Sequence, residues 1–146
     1  MRSPKNAREK MESAPEARVV AIPPRMQKRF GKGKMLIPGP LDLDAMIRKV
    51  PRGKLVTLGE VREKLARAAG AKVTCPMVAG ILLRVIAEAA EEDSKAGEAR
   101  VTPYWRVVRD DGRLFETIPG GPSAQAGQLE AEGHQIQYSA KLRVIF

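Results

Sequence analysis

The most reactive side chains of this chain are few and lie far apart. Cys75 is the only cysteine and His134 the only histidine among the 146 residues. Cys75 directly precedes a predicted helix, where backbone amides can activate a thiol, so it is a candidate nucleophile. However, no histidine lies near it to act as a base, and single cysteines are usually packing residues. One Cys and one His so far apart do not form a zinc site, and we expect neither a metal nor a cofactor.

A second informative group of side chains lies in residues 102–114, which read Thr-Pro-Tyr-Trp-Arg-Val-Val-Arg-Asp-Asp-Gly-Arg-Leu. Tyr104 and Trp105 are adjacent aromatic residues, and an aromatic side chain can stack on a nucleobase. Tyr104 is a poor nucleophile, because a phenol has an ordinary pKa of about 10 and no base is adjacent to it. Arg109 and Arg113 flank the Asp-Asp-Gly turn and are candidate phosphate contacts. The segment thus offers no activated nucleophile.

Two consecutive helices are predicted in the middle of the chain. Thr57 followed by Glu60 is a capping-box pattern that begins a helix at the next residue, and Gly70 ends that helix. Pro76 suits the first position of the next helix, which apolar residues at helical spacing extend to about Glu92. Two helices joined by a short turn with glycine are typical of a helix-turn-helix unit, whose second helix enters a DNA groove.

Further elements are predicted on either side of this pair. A helix capped by Asp42 precedes it. Extended segments at Trp105–Arg109 and Arg113–Glu116 predict a β-hairpin, which after a helix-turn-helix would be the wing of a winged helix. A helix capped by Ser123 and a pair of strands in residues 135–146 complete the domain. We therefore predict an α/β fold, mostly α, of the winged-helix class.

Positive charge is concentrated in the first part of the chain. The sequence carries 26 Lys and Arg against 17 Asp and Glu, and residues 1–40 hold ten of the basic and three of the acidic residues. The same segment contains six prolines, so we predict a basic, Pro-rich, irregular and flexible arm at residues 1–40 and one domain at residues 41–146. Such an arm suits a polyanion, most often nucleic acid, although a solubilising tail would have the same composition.

The composition also bears on location. The chain has no run of about 18 apolar residues, so we expect no membrane span. The N-terminal segment is charged and lacks the continuous apolar stretch of a secretory signal. One cysteine cannot form an internal disulfide, and a cytoplasmic location, on the nucleoid if the source is bacterial, is our expectation. We also expect a monomer.

Four stretches, in order along the chain, resemble the DNA-binding domain of the O6-alkylguanine-DNA alkyltransferases (methylated-DNA–protein-cysteine methyltransferases). Val50–Val61 is similar to the family's Val-Pro-x-Gly-x-Val-x-(Ser/Thr)-Tyr-Gly-x-(Ile/Leu) motif, and Val78–Leu82 lies where its recognition helix carries Ala-Val-Gly-x-Ala-(Leu/Met). Pro103–Val108 resembles the active-site Pro-Cys-His-Arg-Val-Val, and Leu129–His134 the Leu-Leu-x-x-Glu-Gly-His ending. The resemblance implies the winged-helix fold of the alkyltransferase C-terminal domain and double-stranded DNA as partner.

The chain differs from the family at most of its functional positions. Tyr104 stands where the family has its reactive cysteine and Trp105 where it has the activating histidine, while Glu132 keeps the glutamate of the proton relay. Leu58 replaces the tyrosine that presses on the phosphate beside the flipped base, and Pro76 replaces the intercalating arginine. These differences imply a non-catalytic protein, similar to the alkyltransferase-like proteins that lack the cysteine.

The resemblance leaves two roles open for Tyr104: a platform on which a base stacks in the former alkyl pocket, or a side chain that fills that pocket. Glu132 has no relay to serve, and we expect it to orient a backbone turn. Arg106 either contacts a phosphate or, as in the family, makes structural hydrogen bonds. The predicted DNA-binding residues are Thr57, Leu58, Pro76, Met77, Ala79, Gly80, Arg84, Arg106, Arg109 and Arg113.

The implied function is non-catalytic DNA binding, in which the domain senses O6-alkylguanine by flipping it out and hands the lesion to nucleotide excision repair proteins. The alternative is a general architectural or regulatory DNA binder without lesion recognition. Two further hypotheses stay open. One is a methyl acceptor that uses Cys75, and the other is an interaction module that binds no nucleic acid.

Overall fold

The computed structural model describes residues 6–146, and in this range the chain is mostly α-helical with short strands. A 3-10 turn at Tyr104–Arg106 lies between the fifth helix and the fifth strand. No helix in the described range is both long and apolar enough to cross a membrane. In chain order the elements are α1 (Ala7–Ser13), β1 (Arg18–Ala21), α2 (Pro24–Phe30), β2 (Lys34–Ile37), α3 (Pro40–Arg48), β3 (Val56–Thr57), α4 (Leu58–Ala69), β4 (Val73–Thr74), α5 (Pro76–Lys95), β5 (Val107–Val108), α6 (Gly121–Ala131), β6 (Gln135–Gln137) and β7 (Arg143–Ile145).

The strands pair in small sheets. β2 pairs antiparallel with β1 and parallel with β4. β3 pairs in parallel with β5, which brings the start of α4 beside the segment that follows the 3-10 turn. β6 pairs antiparallel with β7, with Ile136 opposite Val144. This last pair confirms the strands predicted in residues 135–146.

The predicted helix pair is present as α4 and α5. The Thr57 hydroxyl accepts a hydrogen bond from the Glu60 amide (3.1 Å), and the Glu60 carboxylate accepts one from the Thr57 amide (3.4 Å). These two bonds complete the predicted capping box. Gly70 follows α4 with a φ of 68°, a left-handed conformation that glycine adopts without strain. α5 begins at Pro76 as predicted and extends beyond its predicted end.

The inner face of α5 lies in the main hydrophobic core. Leu83 and Ile86 of α5 are buried in one cluster with Ile47 of α3 and Val61 of α4. Burying a side chain of this size stabilises a fold by about 1.5–3 kcal/mol. The core therefore fixes how α4 and α5 lie relative to each other, and with them the side chains that the two helices present to solvent.

Residues 7–37 are folded, so the prediction of an irregular arm is wrong there. Met11 of α1 is 1% exposed and belongs to the main core. The Glu92 carboxylate of α5 accepts hydrogen bonds from the amides of Ala7 (2.8 Å) and Arg8 (3.4 Å) at the start of α1. These partners lie more than 80 positions apart in the sequence, which is why composition did not reveal them. Residues 1–5, also part of the predicted arm, lie outside the described range.

Two helices begin earlier than predicted. α3 begins at Pro40 rather than after Asp42, because proline is well suited to a first turn, where its missing N–H is not needed. α6 begins at Gly121, directly after Gly120, which has a φ of 75°. Ser123 therefore lies inside the first turn of α6 and is not its cap.

The predicted β-hairpin wing is not formed by the two segments to which it was assigned. The turn itself exists, since the Arg109 amide donates to the Arg113 carbonyl (3.0 Å). However, Val107–Val108 pairs with β3, and the residues after the turn pair with the end of the chain, with Arg113 opposite Arg143. Each side of the turn thus finds a partner elsewhere in the fold, and the antiparallel hairpin nearest to it is β6–β7.

Candidate nucleic-acid interface

An open groove of about 510 Å³ lies between the first turns of α4 and α5 and the loop of residues 109–118. Its walls are basic, and its floor includes the buried side chains of Leu83, Phe115 and Ile118. We call it the arginine groove. The arginines that line it are Arg29, Arg62, Arg84, Arg109 and Arg113.

The arginine groove gathers many of the residues predicted to bind DNA. Leu58 lies at the start of α4, and Pro76 and Gly80 lie in the first turns of α5. Arg84 of α5 and the two predicted arginines of the 109–118 loop complete this group. Met77 is 54% exposed on α5 beside the groove. The Thr57 hydroxyl is already used in the helix cap.

The arginine side chains are held in place by weak local contacts. Arg84 forms an ion pair with Glu88 one helical turn away (3.1 Å), and Arg113 forms one with Asp111 (2.7 Å). The guanidinium of Arg109 lies 4.8 Å from the centre of the Phe115 ring. Exposed ion pairs of this kind contribute about 0–1 kcal/mol. They orient the guanidinium groups without preventing them from binding an anion.

Two arginines of this groove were missed in the sequence. Arg62 lies one helical turn after Leu58 on α4, so helical spacing could have placed it on the same face. Arg29 comes from α2, in the segment predicted to be irregular, and no signal in the sequence connects it with the groove.

Asp110 brings negative charge into the arginine groove. Its Oδ1 accepts a hydrogen bond from the Gly59 amide (2.8 Å) in the first turn of α4. A Cβ at position 59 would lie 2.5 Å from that oxygen, so only glycine allows this close approach. The carboxylate therefore occupies an amide that an anion could otherwise bind.

Two predicted DNA-binding residues are not available to DNA. Ala79 is 0% exposed, because it lies on the inner face of α5. Arg106 donates from Nη1 to the Val50 carbonyl (2.7 Å) and from Nη2 to the Glu132 carboxylate (2.9 Å), and its side chain is largely buried. The structural role for Arg106 is thus the one that the geometry supports, and the phosphate contact is not.

Glu132 does more than orient a backbone turn. It accepts hydrogen bonds from the Trp105 indole (2.8 Å) and the Gly53 amide (3.3 Å), in addition to its ion pair with Arg106. Burial of this carboxyl acts to raise its pKa, but the hydrogen bonds from Arg106 and Trp105 outweigh burial and lower the pKa to about 2. Glu132 therefore joins Trp105 and Arg106 of the 3-10 turn to the loop at Gly53.

Tyr104 is enclosed by its neighbours. The residue is 4% exposed, its ring packs edge-on against Trp105 at 5.4 Å, and its hydroxyl donates to the Glu91 carboxylate (2.7 Å). Burial, together with Glu91, raises the pKa of its phenol above the ordinary value. Neither Tyr104 nor Trp105 lines the arginine groove. The geometry therefore supports the pocket-filling role and not the stacking platform.

The remaining reactive side chains are separated and enclosed. Cys75 is 3% exposed and packs in a small core with Ile22 and Met35. The His134 Nε2 atom is buried without a hydrogen-bond partner. Among residues 6–146, no group of three or more His, Cys, Asp or Glu side chains is arranged to hold a metal ion.

Comparison with solved structures finds the same fold in a DNA-bound protein. The alkyltransferase-like protein of S. pombe in complex with DNA matches with a TM-score of 0.52 and 22% sequence identity, over 73% of this chain and 87% of that one. S. pombe Atl1 in complex with damaged DNA containing O6-carboxymethylguanine matches over the same shares, with a TM-score of 0.49 and 21% identity. No protein-family model and no curated protein matches the chain. The match with a TM-score of 0.52 establishes that this chain has a mixed α/β fold similar to that of the S. pombe protein.

Proposed function

We propose that this chain is a non-catalytic DNA-binding protein that contacts the duplex through the arginine groove and senses O6-alkylguanine. One observation carries the proposal: residues predicted from sequence as DNA contacts, which come from three separate segments, line a single open groove. Two further arginines, Arg62 of α4 and Arg29 of α2, add to its positive charge. Such a concentration of guanidinium groups suits phosphate, which arginine binds in a bidentate manner.

Sensing of the lesion is proposed to use the groove itself rather than the former alkyl pocket. The arginine groove is larger than a nucleobase and has an apolar floor, against which a base turned out of the duplex could pack. The alkyltransferase-like protein of S. pombe, whose fold is similar, was solved in complex with DNA. The proposal has two further parts. The protein acts as a monomer in the cytoplasm or on the nucleoid, and it hands the lesion to nucleotide excision repair proteins.

A general architectural or regulatory DNA binder is the second candidate function. It is favoured by the buried Tyr104, which closes the corner where an alkyl group would be received in the family. Leu58 and Pro76 also lack the polar groups that press on a phosphate or fill the gap left by a flipped base. Such a protein would bind damaged and undamaged duplex equally.

Competition binding distinguishes the two functions. A duplex with one O6-methylguanine and the same duplex with guanine compete for the protein at one salt concentration. The lesion sensor binds the damaged duplex at least about tenfold more tightly, a difference of about 1.4 kcal/mol. Equal affinities support the architectural protein, and no binding of either duplex at low salt overturns both.

Arginine variants test the assignment of the groove. Arg84→Ala/Arg109→Ala removes two guanidinium groups from the arginine groove and should weaken binding of both duplexes. Arg67→Ala is the control for loss of a guanidinium group elsewhere, because Arg67 is exposed on α4, pairs with Glu63 one turn away and does not line the groove. Equal effects of the two changes would contradict the assignment.

The absence of catalysis is tested by mass. After incubation with O6-methylguanine DNA, the intact mass of the protein should be unchanged. A gain of one methyl group that Cys75→Ala abolishes would support the methyl-acceptor hypothesis instead. The burial of Cys75 argues against that outcome, since a nucleophile must reach its substrate.

A further inference from the structure

A second groove runs between α3 and α4. The residues of α4 that line it are different from those that line the arginine groove. Two cavities of about 340 and 360 Å³ share Met46 and Lys49, so they adjoin and form one groove. We call it the α3–α4 groove. Its position on a separate surface leaves it free for a partner other than DNA.

The floor of the α3–α4 groove is apolar. Val56, Val61 and Leu65 are buried members of the main core, and their outer surfaces form the bottom of the groove. Exposed alanines at Ala45 and Ala68 stand along its sides. Their small side chains leave room for bulky apolar groups of another molecule to reach the floor.

The rim of the α3–α4 groove carries more positive than negative charge. Lys49, Lys54 and Lys64 line it, and in the part of the chain that the structure describes none of them forms an ion pair with an acidic side chain. Two acidic residues also line the groove: Glu60, whose carboxylate is held by the amide and the hydroxyl of Thr57, and Asp42 in the first cavity. An occupant that carries carboxylates would therefore complement this rim.

We propose that the α3–α4 groove docks an acidic amphipathic helix of a partner protein. Apolar side chains on one face of that helix would enter the floor, as in other helix-in-groove interfaces, and its carboxylates would pair with Lys49, Lys54 and Lys64. Nucleic acid fits less well, because a phosphate backbone offers no apolar side chains to cover the floor. α4 contributes Val61 and Leu65 to the floor and Lys64 to the rim, whereas Lys49 lies at the end of α3 and Lys54 in the loop that follows.

A pair of synthetic peptides tests the docking. The first is a helix of about four turns with Leu at positions i, i+3, i+4 and i+7 and Glu elsewhere, labelled with fluorescein. The second has Lys in place of every Glu. Fluorescence anisotropy with the full chain should show saturable binding of the Glu peptide and binding at least about tenfold weaker for the Lys peptide. Equal binding of the two peptides overturns the proposal.

Variants then locate the binding site. Lys49→Glu/Lys64→Glu should weaken binding of the Glu peptide at least about tenfold, whereas Lys10→Glu/Lys34→Glu, a double reversal at exposed lysines outside the groove, should leave it unchanged. Circular dichroism checks that both variants are folded. If the first variant does not fold, the binding site is located by NMR on the wild-type protein. The amide shift changes caused by adding the Glu peptide should cluster at the α3–α4 groove. Shifts clustered at the arginine groove overturn the proposal.

Duplex DNA is the other possible occupant of the α3–α4 groove. The same variants show whether DNA binds there. Lys49→Glu/Lys64→Glu should retain most of the affinity for duplex, and Arg84→Ala/Arg109→Ala should retain peptide binding. If the lysine reversals weaken duplex and peptide binding equally, the α3–α4 groove is a nucleic-acid surface and the proposal is wrong. A failure of the protein to bind DNA would leave the peptide result unaffected.

Discussion

The side chain of Glu132 holds together three separate parts of the chain. Its carboxylate is bound by Trp105 and Arg106 from the 3-10 turn and by the Gly53 amide from the loop before β3. Arg106 in turn donates to the Val50 carbonyl, so the contact extends to the residue two positions after α3. Burying an ion pair costs desolvation energy that the attraction and the hydrogen bonds offset, but removing one partner destabilises the fold strongly, because the other is left charged and buried.

Glu132→Gln should therefore destabilise the protein by about 2–4 kcal/mol at pH 7. The folded pKa of about 2 lies below the ordinary value of about 4.3. The stability that this carboxylate contributes is thus present above about pH 4.3 and is lost as the pH falls toward 2. Urea unfolding at pH 7, 4 and 2 measures the free energy of unfolding of wild type and variant. The difference between the two values should become smaller as the pH falls.

Glu116→Gln is the control for this change, since Glu116 is exposed and pairs loosely with Lys141. It should alter the free energy of unfolding by no more than about 0.5 kcal/mol. A Glu132→Gln variant as stable as this control would show that the ion pair with Arg106 is not important to the fold.

Tyr104→Leu separates packing from base stacking. Loss of the ring and of the hydrogen bond to Glu91 should lower the free energy of unfolding by about 1–3 kcal/mol. Affinity for duplex should remain unchanged, because Tyr104 lies outside the arginine groove. A stacked ring would contribute about 1–3 kcal/mol to binding. If Tyr104→Leu binds O6-methylguanine duplex more weakly than Tyr104→Phe does, the pocket-filling role is contradicted.

At the scale of elements, the first turn of α4 is bound by a carboxylate from the 109–118 loop. Asp110→Asn should strengthen duplex binding about threefold to tenfold at low salt, since it removes a negative charge beside five arginines. The asparagine carbonyl can still accept the Gly59 hydrogen bond, so the loop should keep its position. Titration at two salt concentrations measures the effect.

Glu63→Gln is the matched control for this change. It also removes one negative charge from an exposed side chain, but Glu63 does not line the arginine groove. Glu63→Gln should therefore increase the affinity for duplex less than Asp110→Asn does. Weaker duplex binding by Asp110→Asn would show instead that the charged carboxylate is required to order the loop.

The helix α1 provides a test of whether the first part of the chain belongs to the fold. Met11→Ala should lower the free energy of unfolding by about 2–5 kcal/mol, as expected for a fully buried methionine. Glu12→Ala, at the neighbouring exposed position, should have an effect below about 0.5 kcal/mol. Equal effects in urea unfolding would favour the flexible arm that composition predicts.

At the scale of the whole molecule, a net charge of +9 should make duplex binding steeply dependent on salt. The logarithm of the binding constant should fall linearly with that of the salt concentration. Arg109→Ala should reduce the slope by about 0.9 for one lost phosphate contact. Arg67→Ala, outside the groove, should leave the slope unchanged, and a reduction there would indicate that charge acts without a defined surface.

Local patterns in the sequence predicted a substantial part of this fold. The capping box at Thr57 and Glu60, the glycine after α4 and the proline that begins α5 each depend on residues a few positions apart. The strand pair β6–β7 follows from alternation over short segments. These signals also placed Leu58 and Arg84 on adjoining helices, and the groove that they share follows from that placement.

The amino-acid sequence by itself determined where the central helices begin and that two bulky aromatic side chains, Tyr104 and Trp105, are adjacent. Only the tertiary structure decided that α1 packs on α5, that Arg106 pairs with Glu132 rather than with a phosphate, and that Arg29 reaches the groove. The physical reason is the range of the interactions. A cap or a turn is made by neighbours in the chain, whereas these contacts join residues separated by 26 positions or more and form only when the core has closed.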